Sequence, residues 1–457
     1  MSSNKEVKEL QQERTDIFHD VYDNKIPKRV PVNLTIGIEA LAQYGNIDII
    51  SAQWDISILE DALDQLCQEL YSDVCPGGGS IRFPSYYDLL NSQSFMMGSD
   101  GFMQHPEVHG MLPEEYDDLI ENPYDTLIEK VVPRQYKALS AKEPFNVAIS
   151  LAQSIIAFNE EMGRSAALKG KMTEKYGYYP GGPAGSGGFT EAPLDFIADQ
   201  LRGFKGMSMD LRRIPEKVAE ACEAVYPIVL KKGMPTNTSN YGLVGMPLHM
   251  PTFMREKDFE KYYWPTFKRL LEEYASHGVH VSLFCEDDWT RYLDYLYDLP
   301  TDTEIRFEYG DPKLFKEKLG KKHIITGLYP LTYLNTHTKQ ECVDKAKEYI
   351  DILAPGGKYF FTFDKAVVSM QEINIENFFA VAEYVKNHAV YSNPGEVAGM
   401  KFNKEDYKVS PSREISSKYF KTWDDFKEMN PRISDKGQNR LLELEDRLFN
   451  HLTYLLL

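Results

Sequence analysis

From about residue 240 to residue 390, short runs of β-branched and aromatic residues alternate with stretches whose apolar positions recur every three or four residues. The runs predict strands at Gly242–His249, His280–Cys285, Glu304–Glu308, His323–Gly327 and Lys358–Phe363. The stretches between them predict helices at Lys257–Ser276, Leu314–Leu319, Lys339–Leu353 and Asn374–His388, several of them behind turn or capping residues. Arg29–Ile36 and Tyr71–Cys75 read as two earlier strands. Repeated strand–helix units imply a parallel sheet with right-handed crossovers.

Periodicity leaves open whether that sheet is open or closed, but the ends of the strands favour closure. Strand after strand finishes in a polar or Gly/Pro-bearing tip, as in LHMP, FCEDDW, FEYGD, TGLYP and TFDK. An α/β fold that assembles its site from the C-terminal ends of several strands is the (β/α)8 TIM barrel, and chemistry is expected at these tips. The predicted organisation is an N-terminal helical extension over 1–27, a barrel over 28–390 and a C-terminal extension over 391–457. Residues from about 80 to 235 fit the alternation badly and read as insertions of helices and mobile loops. They hold PGGGS at Pro76–Ser80 on their border, FMQHPEVHGM at Phe102–Met111 and YYPGGPAGSGG at Tyr178–Gly188. The last is neither GxGxxG nor GxxxxGK[ST], so it reads as a flexible lid rather than a phosphate cradle.

Composition narrows the partners. Across 457 residues, 51 Lys and Arg stand against 69 Asp and Glu, for a net charge of −18. Such a balance repels phosphate backbones and anionic lipid, so neither nucleic acid nor a membrane surface is expected as a partner. No run approaches the length of a membrane span, and the polar N-terminus lacks the apolar core of a signal peptide. The five cysteines form no CxxC pair, and a reducing cytoplasmic setting fits them. Leu441, Leu444, Leu448, Leu452 and Leu455 recur at helical spacing, which predicts a closing helix for docking or for contact in a homo-oligomer.

The candidate chemistry is acidic. Glu286, Asp287 and Asp288 follow one strand, Glu308 ends the next and Asp364 ends a later one. Any one of these could simply cap the following helix, as Asp287 or Asp288 could for Thr290–Leu299. Together, carboxylates facing one barrel mouth repel one another unless protons or a cation are shared, and a divalent metal would resolve the conflict. Strand alternation sets Cys285 and Asp287 on one side and Phe284 and Glu286 on the other, so both sets line the barrel only if the strand ends or bulges there. His249, at the end of VGMPLHMP, is placed for a substrate or acid–base role. His280 reads as core, and His105 and His109, four apart but beside Pro106 and Gly110, read as loop residues rather than a metal pair.

These segments resemble the uroporphyrinogen decarboxylase superfamily, and most of all its cobamide-dependent methyltransferase branch. The likeness is carried by KRVPVNLT, by APLDFIADQLRGFKGMSMDLRRIPE at Ala192–Glu216, by Pro247–Trp289, by TGLYPLTYL at Thr326–Leu334, and by GGKYFFTFDKA with NIENFFAVAEYV. It covers most of residues 28–390 and implies a (β/α)8 barrel. The decarboxylase's own first-strand arginines are missing from Leu34–Leu41, so porphyrinogen decarboxylation is not expected. The methyltransferase branch holds zinc through an HxC pair, an acid on the next strand and a last cysteine. This sequence departs from that pattern, with Asp364 in place of the last cysteine. Carried over, the resemblance implies zinc on Glu286, Glu308 and Asp364, with Cys285 and Asp287 as register-dependent substitutes. Harder ligands suit polarisation of an ether oxygen rather than a thiol. The implied activity is therefore methyltransferase I of an O-demethylase, moving methyl from a methoxylated aromatic to the Co(I) of a corrinoid protein partner. His249, Asn33 and Tyr329 would orient the substrate. A methanol- or methylamine-type methyltransferase, or a non-catalytic binding barrel, remains as an alternative.

Overall fold

The computed structural model describes residues 4–77, 79, 82–410 and 412–456, so PGGGS at Pro76–Ser80 lies partly outside the described residues. Five strands pair in parallel and in chain order: β1 (Gly188–Phe189), β2 (Leu243–Leu248), β3 (His280–Asp288), β4 (Glu304–Tyr309) and β5 (Ile324–Gly327). The fold is a mixed α/β one, as the alternation of β-rich and helical runs predicts. In β2 the buried residues are Val244, Met246 and Leu248, while Leu243, Gly245 and Pro247 are only half-buried. That alternation is the period-2 pattern of a strand with one tightly packed face, which sends the next residue, His249, to the other side. β3 runs three residues beyond its predicted end. Its pairing with β4 shifts between Cys285 and Asp288, and Asp287 takes a φ of +59° in that irregularity.

Backbone pairing continues past β5 through single bridges. Ile325 bridges Tyr359, Tyr329 bridges Phe363, and Phe361 and Val367 bridge Val32 and Ile36. Asp73 N–H then donates to Val32 O at 2.8 Å, and Tyr179 N–H to Asp73 O at 2.8 Å. The predicted strands at Arg29–Ile36 and Lys358–Phe363 are thus present as bridged segments rather than ladders, and Tyr71–Cys75 is held beside them by single backbone hydrogen bonds without a bridge. Pro31 explains part of this, since it accepts from Phe361 N–H at 2.9 Å but has no N–H to return. No strand pairing joins 73–76 to β1 among the described residues.

Helices cover the sheet and its ends. α1 (Asn4–Tyr22) sets Ile17, Phe18, Val21 and Tyr22 against Tyr179, Ile324 and Phe360, a small apolar cluster at the start of β5. The N-terminal helix is therefore part of the packed body. The region 80–235 is mostly helical, with a short antiparallel pair at Met96–Met97 and Met103–Gln104, and contains the 33-residue α2 (Pro144–Tyr176) and α3 (Pro215–Gly233). The closing helix, α4 (Gln438–Tyr454), docks through its last turns, while Leu444 and Leu448 of the predicted leucine stripe stay exposed. Phe449, Leu455 and Leu456 are buried, and Leu455 O accepts from Tyr136 at 2.6 Å. No helix among the described residues is long and apolar enough to cross a membrane, and all five cysteines are free thiols.

Asp73 ties the N-terminal helix and the extended segments 29–36 and 71–75 together. Its carboxylate, fully buried, accepts from Arg29 Nη1 and Nη2 at 2.6 and 2.8 Å, from Val32 N–H at 2.8 Å and from Tyr71 at 2.8 Å. Arg14 of α1 stands 3.4 Å away on another side. A bidentate, hydrogen-bonded pair of this kind tolerates burial, but removing one partner strands the other charge. Asp73→Ala is expected to lower unfolding free energy by about 3–5 kcal/mol. Urea denaturation checks this, and a loss below about 1 kcal/mol would contradict the role.

Candidate functional site

Parallel register puts the tips of β2 and β3 side by side. Leu248 pairs with Cys285, so the next residues, His249 and Glu286, lie together on the less packed face. His249 Nδ1 is 2.7 Å from Glu286 Oε2, and its Nε2 is 3.5 Å from Asp199 Oδ2. Asp199 comes from the helical segment after β1, where Pro193–Phe196 passes into the π turn Ile197–Arg202. Asp195, one turn earlier, is fully buried and accepts from Met250 N–H at 2.8 Å and from Tyr263 at 2.6 Å. It thereby fixes the chain just after His249. Glu191, just before the helical segment, accepts from Gln200 at 2.7 Å and from the buried Lys232 at 2.8 Å.

Three carboxyl groups around one imidazole set the protonation. Burial pulls the His249 imidazolium down, but the Glu286 hydrogen bond and the charges of Asp199 and Asp195 outweigh it and raise its pKa to about 10. Burial pushes Asp199 up to about 8 and Asp195 up to about 6, against the pull of His249. One oxygen of Asp199, Oδ1, is buried with no hydrogen-bond partner. Protons are therefore held at this strand tip through neutral pH, with His249 as the best-placed donor.

The structure brings only some of the predicted site residues to this point. Glu286 is there, as the partner of His249. Cys285 is on the opposite face of β3, fully buried, and burial drives its thiol pKa well up. Asp287 is exposed, and its N–H donates to Glu308 Oε2 at 2.9 Å. Glu308 also meets Lys365 at 3.4 Å. Asp364 Oδ1 accepts the N–H groups of Leu331 and Lys365 at 2.9 and 2.8 Å, which makes it a turn-fixing group. Tyr329 is buried, and its hydroxyl donates to Cys342 O at 2.8 Å, so it packs the wall rather than the mouth. Asn33 lines a different space, a cavity of about 770 Å³ shared with Thr35, Glu304, Tyr179 and the glycine-rich Pro180–Gly187. His280 is buried, as expected.

The expected zinc ligands do not fit a metal. Glu308 and Asp364 each give one oxygen to backbone N–H groups, Glu308 turns the other towards Lys365, and Cys285 faces away. Glu286 and Asp199 address opposite nitrogens of His249, so the three donors point at no common centre. Among the described residues no group of three or more His, Cys, Asp or Glu side chains could hold a metal ion.

Three acids of the cluster were not singled out from sequence, although their signal is simple. Glu191, Asp195 and Asp199 are spaced by four in EAPLDFIAD; Asp195 and Asp199 follow one another on the helical segment, and Glu191 stands just before its start. Acids on that spacing are ordinary on a solvated helix; what is unusual is that all three are buried or nearly so. His105 also belongs to this neighbourhood. It stacks on Phe95 at 4.1 Å, and burial with the nearby Arg82 lowers its pKa to about 4, so it is neutral where His249 is charged.

Residues 181–388 match the family model for uroporphyrinogen decarboxylase (URO-D). The match supports membership of the uroporphyrinogen decarboxylase superfamily. It spans β1 to β5 and takes in Glu191, Asp195, Asp199, His249, Glu286, Glu308 and Asp364, so the whole cluster lies in the part that carries the superfamily likeness. No curated protein matches the chain.

The protonation of His249 yields a direct test. Because its folded pKa lies above the unfolded value of about 6.5, its contribution to stability is complete below that pH and is lost as pH rises through about 10. In the Glu286→Gln variant that loss is expected at lower pH, because the main acceptor for the imidazolium is gone. Imidazole NMR titration measures both, and a wild-type midpoint near 6.5 would contradict the arrangement.

Proposed function

We propose that the protein is a methyltransferase built on a (β/α)8 barrel, which moves a methyl group from an aryl methyl ether to the Co(I) centre of a corrinoid protein. The observation that carries this reading is the imidazolium of His249, held at the strand tips by Glu286, Asp199 and Asp195. An ether oxygen is a poor leaving group until it gains a proton or a Lewis acid. Here the proton is available and the expected zinc ligands are otherwise engaged, so His249 takes the part assigned to zinc.

The balance is simple. The Co(I) electron pair attacks the methyl carbon, the C–O bond breaks with its pair left on oxygen, and that oxygen takes the proton of His249. The products are a phenol and methyl-Co(III), and a proton from solvent restores His249. Asp199 and Glu286 hold the ring and make the charged form the resting form. The surrounding carboxylates favour a neutral donor over a polyanionic one. A neutral alcohol such as methanol would use the same proton, whereas a quaternary methylammonium donor has no need of it.

A second reading comes from the matched family model, whose name is that of a decarboxylase. A proton donor at the same place could quench the carbanion left by loss of CO₂. Incubation with reduced corrinoid protein and a panel of methoxybenzenes, methanol and methylamines, followed by the methyl-cobalamin spectrum, separates these readings. Transfer from methoxybenzenes is expected, with no CO₂ released. His249→Gln should lower kcat by about 10²–10⁴ with little change in KM, least for nitrophenyl ethers, whose phenolate leaves unaided. No transfer from any aryl ether would end the O-demethylase reading.

A further inference from the structure

The first half of α2 exposes an apolar stripe that no other described residue covers. Phe145 is 81% exposed, Ile149 55% and Ile156 58%, and Ala148 and Ala152 between them are exposed too. These positions fall at steps of three and four, which is one face of a helix. No charged residue occurs from Pro144 to Asn159, although this stretch is at the surface. The opposite face is already used: Ser154 meets His451 of α4 at 3.3 Å, and Phe158 packs on Tyr454 with ring centroids 4.5 Å apart. α4, docked in this way, exposes Leu444 and Leu448. Contiguous exposed apolar surface of this kind marks an interaction site rather than scattered surface residues.

We propose that α2 pairs antiparallel with the α2 of a second copy of this chain. The stripe is self-complementary, which is what a two-fold interface requires. A pair centred between Ser150 and Leu151 sets Phe145 against the second copy's Ile156, and Ile149 against its Ala152. At the centre each Ile149 meets the small Ala152, which lets the backbones approach, and Phe145 and Ile156 fill the ends. The charges at the two limits of the stripe are opposite. Lys142, three residues before Phe145, comes within a turn of the second copy's Glu160, and two-fold symmetry makes that pairing twice. Neither residue has an ion-pair partner within the chain among the described residues. The helix lies before residue 181, where the URO-D match begins, so this interface belongs to the inserted region and is independent of the chemistry at His249.

Sedimentation velocity on the full chain at tens of micromolar tests the proposal. The wild type is expected at twice the 52.5 kDa chain mass. Ile149→Asp and Ile156→Arg are each expected to give the single-chain mass with an unchanged circular dichroism spectrum, since both positions are exposed. Lys142→Glu or Glu160→Lys should weaken the dimer by about three- to tenfold, and the two together should restore it. A wild-type monomer overturns the proposal, and so does a dimer that survives Ile149→Asp. A double charge reversal that fails to restore affinity overturns the antiparallel register.

Discussion

The register between β2 and β3 decides what the site can be. Leu248 opposite Cys285 fixes His249 opposite Glu286, and a slip of one residue would send either side chain into the packed layer behind the sheet. The slip is prevented by that packed layer: Val244, Met246 and Leu248 are buried on β2, and Val281, Leu283 and Cys285 on β3. Core packing on one face thus sets the spacing of charged groups on the other. The 2.7 Å contact between His249 and Glu286 is a consequence of where the leucines sit.

The same constraint explains which acids stay out of the cluster. β3 keeps strict alternation only as far as Cys285, after which its pairing shifts and Asp287 turns to a positive φ. Asp287 then offers its N–H to Glu308, whose carboxylate is spent on stabilising that turn. Asp364 does the same service for the turns at Leu331 and Lys365. Acids at strand tips are needed to satisfy irregular backbone, and two of the predicted metal ligands are of this structural kind. The buried charge that matters chemically comes instead from the helix after β1, which has no strand-tip signature.

The extent to which the sequence was legible follows from these particulars. β2, β4 and β5 begin and end within a residue or two of their predicted limits, because alternation and turn residues mark them clearly. Arg29–Ile36 and Lys358–Phe363 were readable as extended chain, but their reduction to single bridges depends on Pro31 and on pairing partners distant in sequence. His249 and Glu286 were identified by position at a tip. Tyr329 and Asn33 share the same positional argument and fail to join them, because a tip fixes a residue's height along the axis and not the side it faces. Asp195 and Asp199 carried a visible spacing of four, but burial, which separates them from any acidic surface helix, comes only from tertiary packing.

A carboxylate cluster can relieve its own repulsion by binding a cation or by keeping protons, and the geometry of His249 favours the second. A metal needs donors that converge, whereas Glu286 and Asp199 lie on opposite edges of one imidazole ring and hold it between them. An imidazolium with an acceptor at each nitrogen satisfies both acids at once, and the looser contact, Nε2 to Asp199 at 3.5 Å, marks the proton that the proposed reaction would draw on. The cost of burying Asp195 and Asp199 is lowered by the same cation, since each is drawn down by His249 while burial drives it up. Removing His249 would therefore unbalance three carboxyl groups as well as delete a donor. Chemical function and local stability at this site cannot be separated by changing that residue alone, which is why the leaving-group dependence, rather than the bare loss of rate, is the informative quantity.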